Sequence, residues 1–343
     1  MTHIIVDKKE YTDCVSIVLA NDQRTKLTLT NFGASIVNLE ILNKREEFIN
    51  VIVGLDAIDA YKEISVHPSA KFLGASIGRY AGRIRKGGFV LNDYKYELYE
   101  KAGVNLHGGL EGFDKKFWKV DSIDHDTNTV IFSYYSRHME EGYPGNLEVK
   151  AIYQLSDDNN VMITYKAFSD RDTFVNLTNH AYFNLNGSNN ILDHSLFLDC
   201  PEYLEVDTQQ LPTGELRLVN DTKFDFLEPK NLASLENFGL IDDTLIYNAK
   251  NGASIDKIKA RLIAPKSGLQ MEIKTNQPAV VIYTPENFPN WNFKNQTRYD
   301  SFPAICFENQ NYPDAPNHHH FPSALLKAGE EYENTSIFEF SII

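Results

Sequence analysis

Apolar and polar residues alternate over many short stretches of the chain. In Leu147–Leu155, every second residue from Leu147 onward is apolar or aromatic, and most of the residues between are polar. The turn-forming run Asp157–Asn160 follows, after which Val161–Ala167 alternates in the same way. A period of two residues is that of a strand with one buried face. The two stretches therefore predict a β-hairpin.

Strand patterns recur along the whole sequence, whereas helical periodicity is almost absent. Further short runs predict strands at Lys26–Thr30, Ile36–Leu42, Thr129–Tyr135, Met271–Lys274 and Val280–Thr284. Only Asp56–Lys62 and Asn231–Glu236 favour a turn or two of helix. No internal repeat and no linker rich in Pro, Gly or Ser divides the chain. We therefore predict an all-β fold, a large antiparallel β-sandwich with few short helices, as a single domain over residues 1–343.

Polar loops between the predicted strands are long enough to frame a cleft. They are Leu110–Lys116, Asp207–Asp221 and Pro285–Asp300.

Composition and net charge limit the kinds of molecule that the chain is expected to bind. The chain is 42% hydrophobic and 12% aromatic, which is enough for a large core, and its formal net charge is −14. That charge repels phosphate backbones and anionic lipids, so we expect neither nucleic acid nor membrane as a partner. Cys14, Cys200 and Cys306 lie far apart and predict no disulfide framework, and apolar runs such as Ala279–Ile282 are too short to span a bilayer. We therefore expect a cytoplasmic protein.

Two glycine-containing segments carry potential ligands. Ile77–Ile84 holds Arg79 and Arg83, whose guanidinium groups supply several donors, beside glycines that let the backbone turn tightly. In Asn105–Gly109, His107 precedes a pair of glycines that permit close approach by a ligand or another strand. Taken alone, the first segment is more typical of a basic surface turn, and a single histidine is more often structural. Both interpretations stay open at this point.

The segment Asn176–Asn184 predicts a strand with one polar face. Alternation places Asn176, Thr178, His180 and Tyr182 on the same side. Such a face is usually solvated. These side chains also donate and accept hydrogen bonds, as the lining of a sugar-binding groove must.

Two acidic features follow in the second half of the chain. Asp242 and Asp243 form a pair that could accept hydrogen bonds from two hydroxyl groups, or could instead make an Asx turn or cap. Glu308 ends the apolar run Ala304–Phe307, whose side chains could shift its pKa. A carboxylate at the end of a strand more often simply meets water.

Metal and cofactor chemistry are not indicated. Consecutive residues of an extended chain point to opposite sides, so His318–His320 cannot converge on one ion. The common nucleotide-binding and zinc-peptidase motifs do not occur. We predict no metal and no cofactor.

Taken together, these segments resemble the aldose 1-epimerase family over nearly the whole chain. The family's arginine-bearing turn, its Leu-His-Gly-Gly motif and its Asn-His-x-Tyr-Phe-Asn-Leu motif correspond to Ala81–Ile84, Leu106–Gly109 and Asn179–Leu185. Its Thr-x-Gln-Pro strand resembles Thr275–Pro278, and its glutamate segment resembles the chain from Phe307 onward. The resemblance implies a β-sandwich of the galactose mutarotase type.

The resemblance also implies a reaction and roles for particular residues. It makes His180 the general acid and Glu308 the general base of an enzyme that interconverts the α and β anomers of a free aldose, without a cofactor. In the family the arginine just before Ile contacts the sugar, so that role falls on Arg83, with Arg79 as a supporting substrate-binding residue. The other implied sugar ligands are His107, Asp242, Gln277 and Tyr182.

Two positions depart from the family pattern. Gly82 stands where many members have Asn, and Asp243 stands where the family often has His. The second departure leaves open whether Asp242 or Asp243 binds the sugar, although the family spacing favours Asp242.

Other functions stay open beside this one. A non-catalytic carbohydrate-binding module would not need Glu308, and an epimerase could act on a disaccharide such as maltose. A hexose-6-phosphate epimerase would need extra basic residues around its cleft, which the net charge of −14 disfavours. The sequence does not rank galactose, glucose, xylose and maltose. A small aldose is the expected partner, and both a monomer and a homodimer remain possible.

Overall fold

Antiparallel β-sheets make up most of the protein. The computed structural model describes residues 3–8, 13–67, 71–251 and 254–343. Within them, an N-terminal sheet has five strands, in the spatial order His3–Lys8, Val15–Ala20, Lys26–Thr30, Ser35–Leu42 and Phe48–Asn50. A second, central sheet has nine strands, in the order Lys119–Asp124, Thr129–Ser136, Leu147–Leu155, Asn160–Ser169, Glu331–Ile342, Leu269–Thr275, Ala260–Ala264, Ser195–Leu198 and Lys230–Asn231.

A third sheet, called here the cavity sheet, has six strands. Their order is Tyr182–Phe183, Ile305–Gln310, Ala279–Tyr283, Asp242–Ile246, Glu202–Val206 and Pro212–Leu218. Part of the segment expected to be a loop, Asp207–Asp221, is therefore a strand.

Four two-stranded antiparallel pairs and a few short helices complete the described fold. The pairs join Arg83–Arg85 to Val104–Leu106, Gly88–Leu91 to Tyr94–Glu97, Thr178–Asn179 to Ser76–Ile77, and Thr173–Phe174 to Leu325–Leu326. The α-helices are Ala60–Ser65 and Leu235–Phe238. Single 3₁₀ turns occur at Phe113–Lys115, Glu140–Gly142, Leu232–Ser234, Ala249–Asn251, Lys294–Gln296 and Ala315–Asn317. Neither α-helix is long and apolar enough to cross a membrane.

The predicted β-sandwich class is confirmed, and so is the predicted hairpin. Leu147–Leu155 pairs with Asn160–Ser169, with Leu147 opposite Ser169 and Leu155 opposite Val161. Both predicted helices exist, but their α-helical residues begin later than predicted. Bends and turns at Asp56–Asp59 precede the first helix, and the 3₁₀ turn Leu232–Ser234 precedes the second.

One hydrophobic core receives side chains from all three sheets. Ile17 from the N-terminal sheet, Phe132 and Phe338 from the central sheet, and Ile282 and Phe307 from the cavity sheet belong to the same cluster of buried residues. Because strand side chains alternate between faces, burial of Ile282 and Phe307 forces their neighbours onto the opposite face of the cavity sheet. That opposite face carries Glu308.

The polar row predicted for Asn176–Asn184 neither faces solvent nor lines a groove along its length. Asn176 donates from Nδ2 to the carbonyl oxygen of Ala81 over 3.0 Å, and Thr178 donates from Oγ1 to the carbonyl oxygen of Asn309 over 3.0 Å. Both side chains are buried. They satisfy buried backbone groups of neighbouring segments, which a strand pattern alone does not reveal.

Arg79 is a structural residue and does not contact the expected sugar site. Its side chain is buried, with 2% of the residue exposed. Its guanidinium group donates to Ser136 Oγ and to the carbonyl oxygens of Ser136, Arg137 and Pro144, over 2.8 to 2.9 Å. Burial lowers the pKa of the guanidinium to about 10. These donors are occupied by the 136–144 connection, and the expected role of Arg79 as a supporting substrate-binding residue stays a prediction.

We predict that Arg79→Met lowers the free energy of unfolding by about 3 kcal/mol or more, because each buried carbonyl left without a donor costs roughly 1 to 3 kcal/mol. Urea titration followed by circular dichroism measures this change. Arg137→Met removes an exposed guanidinium from the same segment and is the matched control, expected within about 0.5 kcal/mol of the original protein. An unchanged unfolding free energy in Arg79→Met would contradict the structural role.

Candidate active site

The register of the cavity sheet brings two rows of side chains to the face that points away from the core. One row crosses four strands through direct pairings and consists of Tyr182, Cys306, Tyr283 and Asp242. The next row, two residues along on the central strands, consists of Glu308, Val281 and Thr244. Residues that are far apart in sequence therefore become neighbours across the sheet.

His180 is held beside these rows by its own backbone. Its carbonyl oxygen accepts a hydrogen bond from the Gly74 amide over 3.0 Å, and its amide donates to the carbonyl oxygen of Ala75 over 2.9 Å. The imidazole Nδ1 lies 3.6 Å from Cys306 Sγ. The other ring nitrogen, Nε2, lies 3.4 Å from Oε1 of Glu308. An imidazole and a carboxyl group thus face each other at the floor of the site.

Burial disfavours charge on both members of this pair. Only 4% of His180 and 2% of Glu308 is exposed. Burial lowers the pKa of His180 to about 4. Burial raises the pKa of Glu308 well above its usual value, and the nearby Asp242 carboxylate raises it further. Since each group resists ionisation, the pair holds one proton between them over the neutral pH range.

Two hydrogen bonds to the backbone of Gly82 hold His107 next to the pair. The Gly82 amide donates to His107 Nδ1 over 3.2 Å, and the His107 amide donates to the Gly82 carbonyl oxygen over 3.0 Å. Gly108 follows, and a Cβ atom there would lie 2.0 Å from the Gly78 carbonyl oxygen. Only glycine permits this approach to another segment of the chain, and the residue before it, His107, is thereby held close to the Gly78–Gly82 turn.

The hydrogen bond from the Gly82 amide also determines which nitrogen of His107 carries the proton. Because Nδ1 accepts a hydrogen bond, the neutral ring holds its proton on Nε2. Burial and the neighbouring His180 keep the pKa of His107 well below its usual value, so the ring is neutral at neutral pH. His107 therefore offers an N–H donor to the site.

A cavity of about 170 Å³ opens over these groups. The Phe72 ring lies beside both histidines, with centroid distances of 4.8 Å to His107 and 5.6 Å to His180. The cavity lining consists of Lys71, Phe72, Gly82, Arg83, Leu106, His107, His180, Tyr182, Val206, Gln210, Pro212, Asp242, Thr244, Val281, Tyr283, Glu308 and Pro313. Aromatic and apolar surface beside a few convergent polar groups is the usual composition of a small-ligand site.

Arg83 and Asp242 form an ion pair at the rim of the cavity. Arg83 donates from Nη2 to Asp242 Oδ2 over 3.0 Å, and a quarter of each side chain is exposed. Asp243 points to the other face of the strand, is 8% exposed, and lies 3.6 Å from Lys223 Nζ. Of the two aspartates, only Asp242 lines the cavity.

The remaining predicted ligands differ in their relation to the cavity. Tyr182 lines it, but its hydroxyl group donates to the Lys71 carbonyl oxygen over 2.6 Å, so the ring rather than the hydroxyl group is presented. That ring lies 5.0 Å from the His180 ring. Gln277 does not line the cavity, and its Nε2 donates to Asn276 Oδ1 over 2.7 Å.

Several lining residues were not found from the sequence. Val281 and Tyr283 lie on the predicted strand Val280–Thr284, but only its pairing with the Glu308 strand shows which of its faces meets the site. Gln210 belongs to a connection predicted to frame a cleft. Lys71 carries no local pattern that separates it from a surface lysine.

His107, His180 and Glu308 also offer donor atoms within 4.8 Å of one another, which is the spacing of a possible metal site. The Gly82 amide argues against that use, because a ring whose Nδ1 accepts a hydrogen bond has its proton on Nε2. A protonated nitrogen cannot bind a metal. The donor set fits acid–base chemistry better than metal binding. His318 and His320 lie elsewhere, near Asp314 and the Gly214 carbonyl oxygen.

Comparisons with known proteins find similar sequences and a similar fold. The sequence profile of the family described as Aldose 1-epimerase matches residues 15–339. The chain is similar to a galactose mutarotase from Bos taurus, with 37% identity over 94% of this chain and 93% of the relative. It is similar to an aldose 1-epimerase from Escherichia coli K12, with 32% identity over 94% of each chain. A solved structure of an aldose epimerase homologue from C. elegans covers 100% of both chains with a TM-score of 0.87 and 28% identity.

We predict that the His180 imidazole stays neutral down to a pH of about 4 because its ring is buried. Proton–carbon NMR of the imidazole signals across a pH titration measures the midpoint, and His180→Asn assigns the signal by its disappearance. A midpoint at or above the ordinary histidine value of 6.5 would contradict the proposed environment of the pair.

Proposed function

This chain belongs to the aldose 1-epimerase family and interconverts the α and β anomers of free aldoses, and we propose that His180 and Glu308 carry out the reaction. The observation that supports these roles is the 3.4 Å approach of His180 Nε2 to Glu308 Oε1 at the floor of a sugar-sized cavity. We take galactose or glucose as the substrate.

Opening the ring of a cyclic aldose needs one base and one acid at the anomeric centre. In the reactive form of the pair the shared proton is on His180 Nε2 and Glu308 is a carboxylate, a separation of charge that the bound sugar stabilises. Glu308 then removes the proton of the C1 hydroxyl group while His180 delivers its proton to the ring oxygen. The bond between C1 and the ring oxygen breaks, and C1 becomes the carbon of an aldehyde. Rotation about the C1–C2 bond then presents the other face of that aldehyde.

Closure repeats these steps with the roles exchanged. The hydroxyl group on C5 attacks C1 and gives its proton to His180, while Glu308 returns its proton to the new C1 hydroxyl group. The pair begins and ends with the same number of protons, so no outside acid or base is consumed. This balance suits a buried pair that holds one proton between two groups.

Neighbouring side chains supply the donors that hold the sugar. His107 offers its Nε2 proton, and Arg83 offers guanidinium donors that Asp242 leaves partly free. Asp242 accepts from a hydroxyl group. The ion pair between Arg83 and Asp242 fixes both side chains before the sugar arrives, which lowers the entropy cost of binding.

We further propose that the protein works in the cytoplasm as a monomer or homodimer. All three cysteines are free and buried, which is compatible with a reducing compartment. Size-exclusion chromatography with light scattering distinguishes the two assembly states.

We expect Glu308→Gln to lower kcat by about 10²- to 10⁴-fold, the usual contribution of a positioned acid or base. The amide keeps the size of the side chain but cannot take the C1 proton. Polarimetry of freshly dissolved α-galactose and α-glucose measures the rate above the spontaneous change. The exposed Glu236→Gln is the matched control and should keep full activity. Full activity in Glu308→Gln would exclude the proposed base.

We expect Asp242→Asn to raise KM by about tenfold, the effect of weakening one charged hydrogen bond. Asp243→Asn is the matched neighbour, and its KM should change much less because Asp243 faces Lys223 outside the cavity. Initial rates over a range of galactose concentrations measure both constants. A larger rise of KM in Asp243→Asn would reverse the assignment.

A further inference from the structure

Lys71 and Tyr283 form a pair of hydrogen-bonding groups within the cavity. Lys71 donates from Nζ to the Tyr283 hydroxyl oxygen over 3.0 Å. Both residues line the cavity, and neither has a role in the acid–base steps above. The pair brings together a residue that follows the first helix and a residue on the central part of the cavity sheet.

Both members of the pair can donate to a ligand. Burial raises the pKa of Tyr283 above its ordinary value, so the side chain keeps its phenolic proton at neutral pH. Because Lys71 donates to the phenolic oxygen, the proton of Tyr283 is free to point elsewhere. The ammonium group of Lys71 retains further protons. Two donors thus lie side by side, as the two oxygens of a carboxylate require.

Lys71 is also the cation of the cavity that no described carboxylate neutralises. Arg83, the other cation of the lining, is paired with Asp242 over 3.0 Å. Among the residues that the structure describes, no Asp or Glu oxygen is recorded within 4.0 Å of Lys71 Nζ. The Glu308 carboxyl group faces His180. The positive charge of Lys71 therefore remains available to a ligand, although the protein as a whole has a net charge of −14.

The position of the pair relates it to one end of the sugar. The Tyr283 ring is 6.1 Å from the His180 ring, edge to face. In the proposed mechanism His180 acts on the ring oxygen, which is bonded to C1 and C5. Glu308 acts on the hydroxyl group of C1. We assign the substituent on C5, which is C6 and its oxygens, to the side of His180 on which Lys71 and Tyr283 lie.

We propose that Lys71 and Tyr283 form a subsite for a C6 carboxylate, and that the substrates of this enzyme therefore include hexuronic acids as well as neutral aldoses. One unmatched cation balances a single negative charge, and a phosphate of nearly twice that charge would require more. This inference rests on the function and residue roles proposed above.

Polarimetry with freshly dissolved α-galacturonic acid at pH 7, beside α-galactose, tests the subsite. We expect the original enzyme to accelerate anomer exchange of both sugars. We expect the KM for galacturonate, and not that for galactose, to change when the ionic strength increases from 0.01 to 0.15 M, because only galacturonate carries a charge that salt screens as the Debye length falls from about 30 Å to about 8 Å. This measurement needs no variant and is independent of folding.

Lys71→Met then removes the charge. We expect the ratio of kcat/KM for galacturonate to that for galactose to fall by about 10- to 100-fold, the value of a hydrogen bond to a charged group. Lys71→Arg should restore most of the ratio. The matched control is Lys26→Met, which removes an exposed lysine from the N-terminal sheet and should leave the ratio unchanged. Circular dichroism confirms that each variant is folded.

Failure of this proposal is distinguishable from failure of the proposed function. Acceleration of galactose exchange without any effect on galacturonate would overturn the subsite and leave the function intact. An unchanged specificity ratio in folded Lys71→Met, or equal salt dependence for the two sugars, would overturn it as well. No acceleration of either sugar would remove both proposals.

Discussion

The register of the cavity sheet is the constraint on which the site depends. Glu308 pairs with Val281, and Cys306 pairs with Tyr283, so each of these strands alternates between one face in the core and one face in the cavity. A slip of one residue would place Phe307 in the cavity and the Glu308 carboxyl group in the core. The apolar residues Ile282 and Phe307 therefore hold the cavity face in place, because burying them fixes where Glu308 must point. Core packing and site geometry are two consequences of the same pairing.

Burying the Glu308 carboxyl group costs solvation energy, and its pairing with His180 reduces that cost. An isolated carboxylate in an apolar interior loses more solvation energy than most single contacts return. Sharing one proton lets both groups stay neutral at rest, while charge separation is postponed until a sugar supplies oxygens to stabilise it. Arg83 and Asp242 differ from this buried pair in their position. They stand at the partly exposed rim, where a permanent ion pair is tolerated without a large desolvation penalty.

Local patterns predicted the elements better than the contacts between them. The alternation in Leu147–Leu155 was sufficient for its strand, because period and burial are properties of one segment. Asn176 and Thr178 share the same alternation as His180, yet they bind buried backbone carbonyls of distant segments. Arg79 and Arg83 lie in the same short motif, and only the position of the 136–144 connection separates a structural arginine from a cavity arginine. The family resemblance supplied the proposed acid–base pair, whereas pairing across the sheet was needed to reveal Val281 and Tyr283.

Some residues of the site are held by strands and backbone hydrogen bonds, whereas others come from connections between elements. We relate the first group to the reaction and the second to the choice of sugar. Glu308 stands in the interior of a paired strand, and His180 is fixed by two backbone hydrogen bonds, so the fold sets the relative position of these two side chains. Gln210 and Lys71 reach the same cavity from connections outside the strands. Changes in such connections cost little stability because they disturb no ladder of hydrogen bonds. The same acid–base pair can thus be retained while the connections change which sugar substituents are accepted.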